Sequence, residues 1–150
     1  MDQKTYDAGM KMRRQVAGNE YVDKAMANVD DFNRDFQRIV TQYCWGEAWG
    51  DDTLPPRERE IVILRTGFLC KSGYEWTQHV GIGKREGLSD DELGRIKKGA
   101  EAGWSASDAA LIRASDELHK DQFITEATWK ARGDDSTQQQ DRYVVYTPGD

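Results

Sequence analysis

The chain has only two histidines, two cysteines and three prolines in 150 residues. Cys44 and Cys70 form neither a CxxC pair nor a zinc-ligand spacing, which excludes a disulfide framework, a zinc finger and a dithiol centre. They are expected to be buried free thiols in a reducing compartment. The prolines fall at Pro55-Pro56 and Pro148, leaving long stretches without a helix breaker. No apolar run approaches the length needed to span a bilayer, and no signal-like segment opens the chain, so the cytoplasm is the expected location and no membrane partner is expected. Dense basic runs are missing: net charge is -6 and the pI about 5.0, which speaks against nucleic-acid binding. No glycine-rich phosphate loop, HxxxH pair or facial triad occurs, so neither a nucleotide nor a metal is expected.

What is present reads as helix. Hydrophobic residues make up 37% and charged residues 32% of the chain, with a mean hydropathy of -0.85. That is polar for a globular chain, and a core this thin predicts an oligomer whose interface buries some of Trp45, Trp49, Phe68 and Trp76. Helices are expected over about 5–16 and 21–28. A longer one is capped by Asp30 or Asp31 and carries Phe32, Phe36, Ile39, Val40, Tyr43 and Trp45 at steps of three and four. Gly50 to Thr53 should end it. Pro56 suits the first turn of the next helix, which reaches Cys70 and is apolar on most sides through Ile61-Val62-Ile63-Leu64 and Phe68-Leu69, the mark of a central buried helix. Ser72-Gly73 interrupts it, a helix follows to Arg85, and Gly87 supplies a left-handed stop. Ser89 to Glu92 spells a capping box. Ser105 or Ser107 caps another helix, and Thr125 starts a short last one. The sum is an all-α fold of six or seven helices: one helical domain over residues 1–132, then a polar tail over 133–150. Val144-Val145-Tyr146 is the one strand-like scrap.

The chemistry concentrates at Gly73-Tyr74-Glu75-Trp76-Thr77-Gln78-His79. On a helix, Glu75 and His79 share one face at i and i+4. Glu60 lies fifteen residues earlier on the apolar helix. One imidazole and two carboxylates that converge make a proton-transfer site. Arg59 or Arg65 can grip a substrate carboxylate bidentately, with Trp76 and Tyr74 beside the pair. The plainer alternative is an exposed Glu–His pair, worth a few tenths of a kcal/mol. His119, near a helix C-terminus, reads as a residue that offsets the helix dipole.

At these residues the chain resembles the carboxymuconolactone decarboxylase family, which also contains the alkylhydroperoxidase D-like proteins. The front, with Gly9, Arg13-Arg14, Gly18, Trp45-Gly46-Glu47-Ala48-Trp49 and Leu54-Pro55, looks like γ-carboxymuconolactone decarboxylases. The stretches REREIVILRTGFLCKSGYEWTQHVGIGKREGLSDDEL and DAALIRASDELHKDQFITEATWKA resemble the branch with a YEWxxH motif. Together they cover about residues 5 to 132. The resemblance implies an all-α fold assembling as a homotrimer or homohexamer, with no cofactor in the decarboxylase branch. In the hydroperoxidase branch a glutamate on the buried helix precedes CxxC and a histidine; Glu60 and His79 match these by position. The two redox cysteines fall on Ser72 and Glu75, so disulfide exchange by that route is excluded. The family's last helix, after a VYTxG stretch, is expected to be lacking, since the chain reads Val145-Tyr146-Thr147-Pro148-Gly149-Asp150.

The function expected is a cofactor-free lyase that decarboxylates a small carboxylated lactone, such as γ-carboxymuconolactone, as in aromatic catabolism. His79 donates the proton, Glu75 orients it, Glu60 polarises or relays, and an arginine holds a carboxylate. The alternatives are an isomerase or dehydratase on a related small acid, and a non-enzymatic or regulatory oligomer.

Overall fold

The computed structural model describes residues 2–49 and 54–132. The chain divides into two compact units, Met1–Asp52 and Thr53–Asp150. Every regular element among the described residues is helical. The expected polar tail over 133–150, the strand-like Val144 to Tyr146 and the break at Gly50 to Thr53 lie outside the described residues.

In the first unit, α1 (Gln3–Ala17) is opened by Asp2, whose carboxylate accepts from the Lys4 and Thr5 amides. Gly18 ends it at φ 89°, and α2 (Asn19–Ala27) follows. The long helix expected from Asp30 onward is altered in two ways. Asp30 accepts from the Phe32 and Asn33 amides, so residues 31–33 form a turn and α3 (Arg34–Ile39) starts late. The helix then widens into a π-helical segment, Val40–Ala48. Its apolar stripe is not a core face in this chain: Phe32, Phe36, Ile39 and Tyr43 are exposed. The π-helical segment packs on α1, backbone against backbone. A Cβ on Gly9 would lie 1.9 Å from the Thr41 carbonyl oxygen, and one on Gly46 would lie 2.5 Å from that of Thr5. Only glycine permits this approach.

The second unit is built around α4 (Pro56–Leu69). Pro56 occupies its first turn, where a missing N–H costs nothing. Arg59 to Arg65 and Gly67 are all buried, as expected for a central helix. Around it pack α5 (Gly73–Arg85), α6 (Asp90–Lys98) and α7 (Ala106–Asp121). The core holds Leu54, Ile61, Val62, Leu64, Leu88, Leu93, Ile96, Leu111, Ile112 and Ala114.

Punctuation follows the sequence in this unit. Ser72 caps α5, Gly87 turns at φ 101°, Ser89 and Glu92 form the capping box of α6, and Ser105 caps α7. Thr125 caps α8 (Glu126–Ala131) and is itself tied to α7, since the Glu117 carboxylate accepts from its amide and hydroxyl. The cysteines depart from expectation. Cys70 ends α4 on the surface and Cys44 is only partly buried. The Cys70 Sγ lies 3.8 Å from His119 Nδ1 of α7.

Candidate active site

The site grows from the contact between α4 and α5. Two glycines let these helices come close. A Cβ on Gly67 would lie 3.2 Å from Glu75 Cβ; one on Gly83 would lie 2.9 Å from Leu88 Cδ1 and 3.7 Å from Glu60 Cβ. With α5 drawn in, His79 Nδ1 reaches Glu60 Oε2 at 2.8 Å. The other ring nitrogen, Nε2, lies 3.5 Å from Glu75 Oε2, one helical turn away. One imidazole thus stands between two carboxylates, all within the second unit.

The two carboxylates sit in different surroundings. Glu60 is 0% exposed, whereas the Glu75 side chain is 34% exposed and His79 12%. A buried carboxylate needs compensation. Glu60 obtains it from the imidazole and from Arg59, whose Nε lies 3.6 Å from Glu60 Oε1. That oxygen makes no hydrogen bond among the described residues. The enclosed Glu60 thus meets Nδ1, and the more accessible Glu75 faces Nε2.

Of the other residues named from sequence, Arg59 lies at the site, buried beside Glu60. Trp76 packs against the core, edge-on to Phe68 at 6.1 Å, with Lys97 over its ring. Tyr74 is exposed in the first turn of α5. Arg65 is not with the histidine. Its Nε donates to Asp116 at 2.6 Å and its Nη1 to the carbonyls of Ile96 and Lys97, so this guanidinium ties α4 to α6 and α7. The expectation that Arg65 grips substrate gives way to this structural role.

A second polar cluster escaped the sequence reading. Arg57 bridges Asp108, at 3.1 Å, and Glu92. The Glu92 carboxyl is held down to about 2, first by the Ser89 amide donating to it, with burial opposing and Arg57 and the Ser89 hydroxyl adding to the pull. Burial pushes the neighbouring Glu58 up, against the pull of Arg132. Only the capping-box half of this network has a local sequence signal; Asp108 is 51 residues from Arg57.

The sequence model of the Carboxymuconolactone decarboxylase family matches residues 34–116. A 4-carboxymuconolactone decarboxylase from Acinetobacter baylyi is 31% identical over 122 residues, covering 80% of this chain and 90% of that protein. The chain belongs to the carboxymuconolactone decarboxylase family. A second relative is the nitrosuccinic acid decarboxylase npaB of Metarhizium robertsii, 33% identical over 93 residues, which are 62% of this chain and 65% of that protein. A third, from Pseudomonas putida, is also named 4-carboxymuconolactone decarboxylase; it is 44% identical over 48 residues, 31% of this chain and all of that sequence. All three are named for decarboxylation, which is carbon–carbon lyase chemistry. No solved structure matches. Among the described residues no helix is long and apolar enough to cross a membrane, and no group of three or more potential metal ligands occurs.

Proposed function

We propose that this chain is a cofactor-free decarboxylase of a small carboxylated substrate, with His79 as its proton donor. The observation that carries the reading is the Glu60–His79 hydrogen bond of 2.8 Å made by a carboxylate with no exposure. A buried acceptor on Nδ1 places the proton there and sets the ring plane. Proton exchange then runs through Nε2, on the side of Glu75.

In such a reaction the bond to the departing carboxylate breaks, CO2 leaves, and its electron pair stays on the adjacent carbon. That carbon must be conjugated to an electron-withdrawing group. His79 protonates it, and the ring regains a proton taken from solvent through Glu75, one turn away. Glu60, backed by Arg59, stabilises the imidazolium before transfer. A carboxylated lactone such as γ-carboxymuconolactone meets this requirement, and the names of two relatives support it. Nitrosuccinic acid meets it as well, through its nitro group, and the npaB relative makes it the second substrate to try. Tyr74 and Trp76, next to Glu75 in sequence, are the aromatic residues assigned to substrate contact in this reading.

The same reading includes self-assembly as a homotrimer or homohexamer, supported by Phe32, Phe36, Ile39 and Tyr43 exposed on one unit and Phe68 and Tyr74 on the other. Sedimentation at micromolar concentration should show an oligomer; a pure monomer would remove this part. The activity is tested by CO2 release and loss of γ-carboxymuconolactone, with nitrosuccinate in parallel. Turnover of either at a rate that depends on His79 is expected. Turnover of neither by a folded, assembled protein would return the chain to the class of non-catalytic oligomers.

A further inference from the structure

Two helix starts in the second unit carry the same Ser-x-x-Glu signature, Ser72 to Glu75 on α5 and Ser89 to Glu92 on α6. They are built differently. At α6 the capping box closes: the Ser89 amide donates to Glu92 Oε2 at 2.8 Å, and the Glu92 amide donates to Ser89 Oγ at 3.2 Å. At α5 only half of the box forms. The Glu75 amide donates to Ser72 Oγ at 3.4 Å, but the Ser72 amide donates to the Gly67 carbonyl at 2.9 Å. The Glu75 carboxylate, without that local partner, lies 3.5 Å from His79 Nε2.

The difference comes from the length of the turn before each serine. Both preceding helices finish in a Schellman turn, where a left-handed residue is followed by one whose amide reaches back into the last helical turn. After α5 these residues are Gly87, at φ 101°, and Leu88, whose amide donates to the Gly83 carbonyl at 2.8 Å. Ser89 comes one residue later, so its amide is left for Glu92. After α4 the left-handed residue is Lys71, at φ 57°, and the next residue is Ser72 itself. Ser72 therefore closes α4 and opens α5 at once, and its single N–H goes to α4. Gly67 shapes the same corner from the other side, since a Cβ there would lie 3.2 Å from Glu75 Cβ. A lysine in the left-handed region is uncommon, because glycine is preferred at this position.

We propose that the Lys71–Ser72 turn is a positioning element for the candidate active site: it commits the Ser72 amide to α4 and so leaves the Glu75 carboxylate for His79. The proposal deepens the proton-transfer reading of Glu75 and His79 and rests on it. A glutamate in a closed box, as Glu92 is, turns its carboxylate back to the helix start. Glu75, kept out of its box, lies along the helix toward the residue one turn on, which is His79. Lys71 and Ser72 act through Glu75 and not on the reacting atoms.

Amide hydrogen exchange and imidazole nitrogen shifts, both read by NMR on the intact protein, test this without a substrate. Glu92→Gln should speed exchange of the Ser89 amide, whereas Glu75→Gln should leave the Ser72 amide as slow as in the wild type. Lys71→Val, whose branched side chain disfavours left-handed backbone, should release the Ser72 amide to Glu75. The His79 Nε2 shift should then move toward its position in Glu75→Gln. Lys71→Gly, which keeps the turn, should hold the wild-type shift. In kinetics on a substrate that is turned over, Lys71→Val should lose kcat by the same fold as Glu75→Gln, and the double variant should be no slower than Glu75→Gln alone. A general loss of packing would instead slow both backgrounds. A Ser72 amide that exchanges faster in Glu75→Gln overturns the proposal, as does a folded Lys71→Val protein with the wild-type His79 shift. Where Lys71→Val does not fold, the Ser72 exchange in Glu75→Gln decides alone. Absence of turnover in every protein, with the NMR results as expected, would strike the decarboxylase reading and leave the hold of the turn on Glu75 standing.

Discussion

At the residue scale the account rests on how two carboxylates divide their work around one imidazole. Glu60 is enclosed and Glu75 is not, so replacing them should have different consequences. Glu60→Gln should lower kcat by tenfold or more and also lower Tm, because it disturbs a buried hydrogen bond, a change worth about 1–3 kcal/mol. Glu75→Gln should lower kcat with little change in Tm, since its surroundings are partly solvent. Steady-state kinetics and thermal unfolding on both variants check this; equal Tm losses would refute the division. The thiols are outside the chemistry. Cys44→Ser with Cys70→Ser should keep turnover within about twofold, because sulfur stands at neither Ser72 nor Glu75. A folded double variant without activity would restore a thiol mechanism. The pair Glu75 and His79 was legible in the sequence because i,i+4 spacing fixes a helix face. The partner of Glu60 was suggested only by order along the chain. The helix that carries Glu60 was legible as central and buried, whereas the hydrogen bond with His79 comes from the packing of α5 on α4 and has no local signature.

At the element scale the helices were legible wherever a cap or a glycine marks their ends, as at Ser72, Ser89, Ser105 and Thr125. They were misread where a side chain redirects the backbone, as Asp30 does, or where the helix changes its winding after Ile39. Apolar periodicity predicted one helical stripe through Phe32 and Phe36, both of which are exposed, because periodicity reports a face and not what covers it. The glycine contacts give a sharp contrast. Gly9→Ala drives a methyl into the Thr41 carbonyl and should destabilise the protein by about 1–3 kcal/mol or more. Gly94→Ala, at an exposed position of α6 with nothing within 4 Å, should stabilise it by up to about 1 kcal/mol. Thermal unfolding of both variants checks the pair, and a neutral Gly9→Ala would disprove the close approach of α1 to the π-helical segment. Gly67 and Gly83 lay in the sequence as isolated glycines within helical patterns; only the structure assigns them to the α4–α5 approach.

At the scale of the whole molecule, acid stability and turnover report on different parts. The Glu92 carboxyl is depressed to about 2 from an ordinary 4.5. Its contribution is therefore complete above about 4.5 and is lost as pH falls toward about 2. Glu92→Gln should lower stability at neutral pH, and its difference from the wild type should shrink across that window; a constant difference in denaturation measured from pH 6 to 2 would contradict the linkage. The central claim is that this family member decarboxylates through His79. It is tested most directly by measuring CO2 release from γ-carboxymuconolactone and nitrosuccinate with the wild type and His79→Ala. Leaving Glu60 without its imidazole should cost about 1–3 kcal/mol of stability, so the comparison is made at a temperature where both proteins are folded by circular dichroism. The account predicts turnover by the wild type on at least one substrate and a loss of 10²- to 10⁴-fold in kcat for His79→Ala. A folded His79→Ala protein that releases CO2 at the wild-type rate would contradict it.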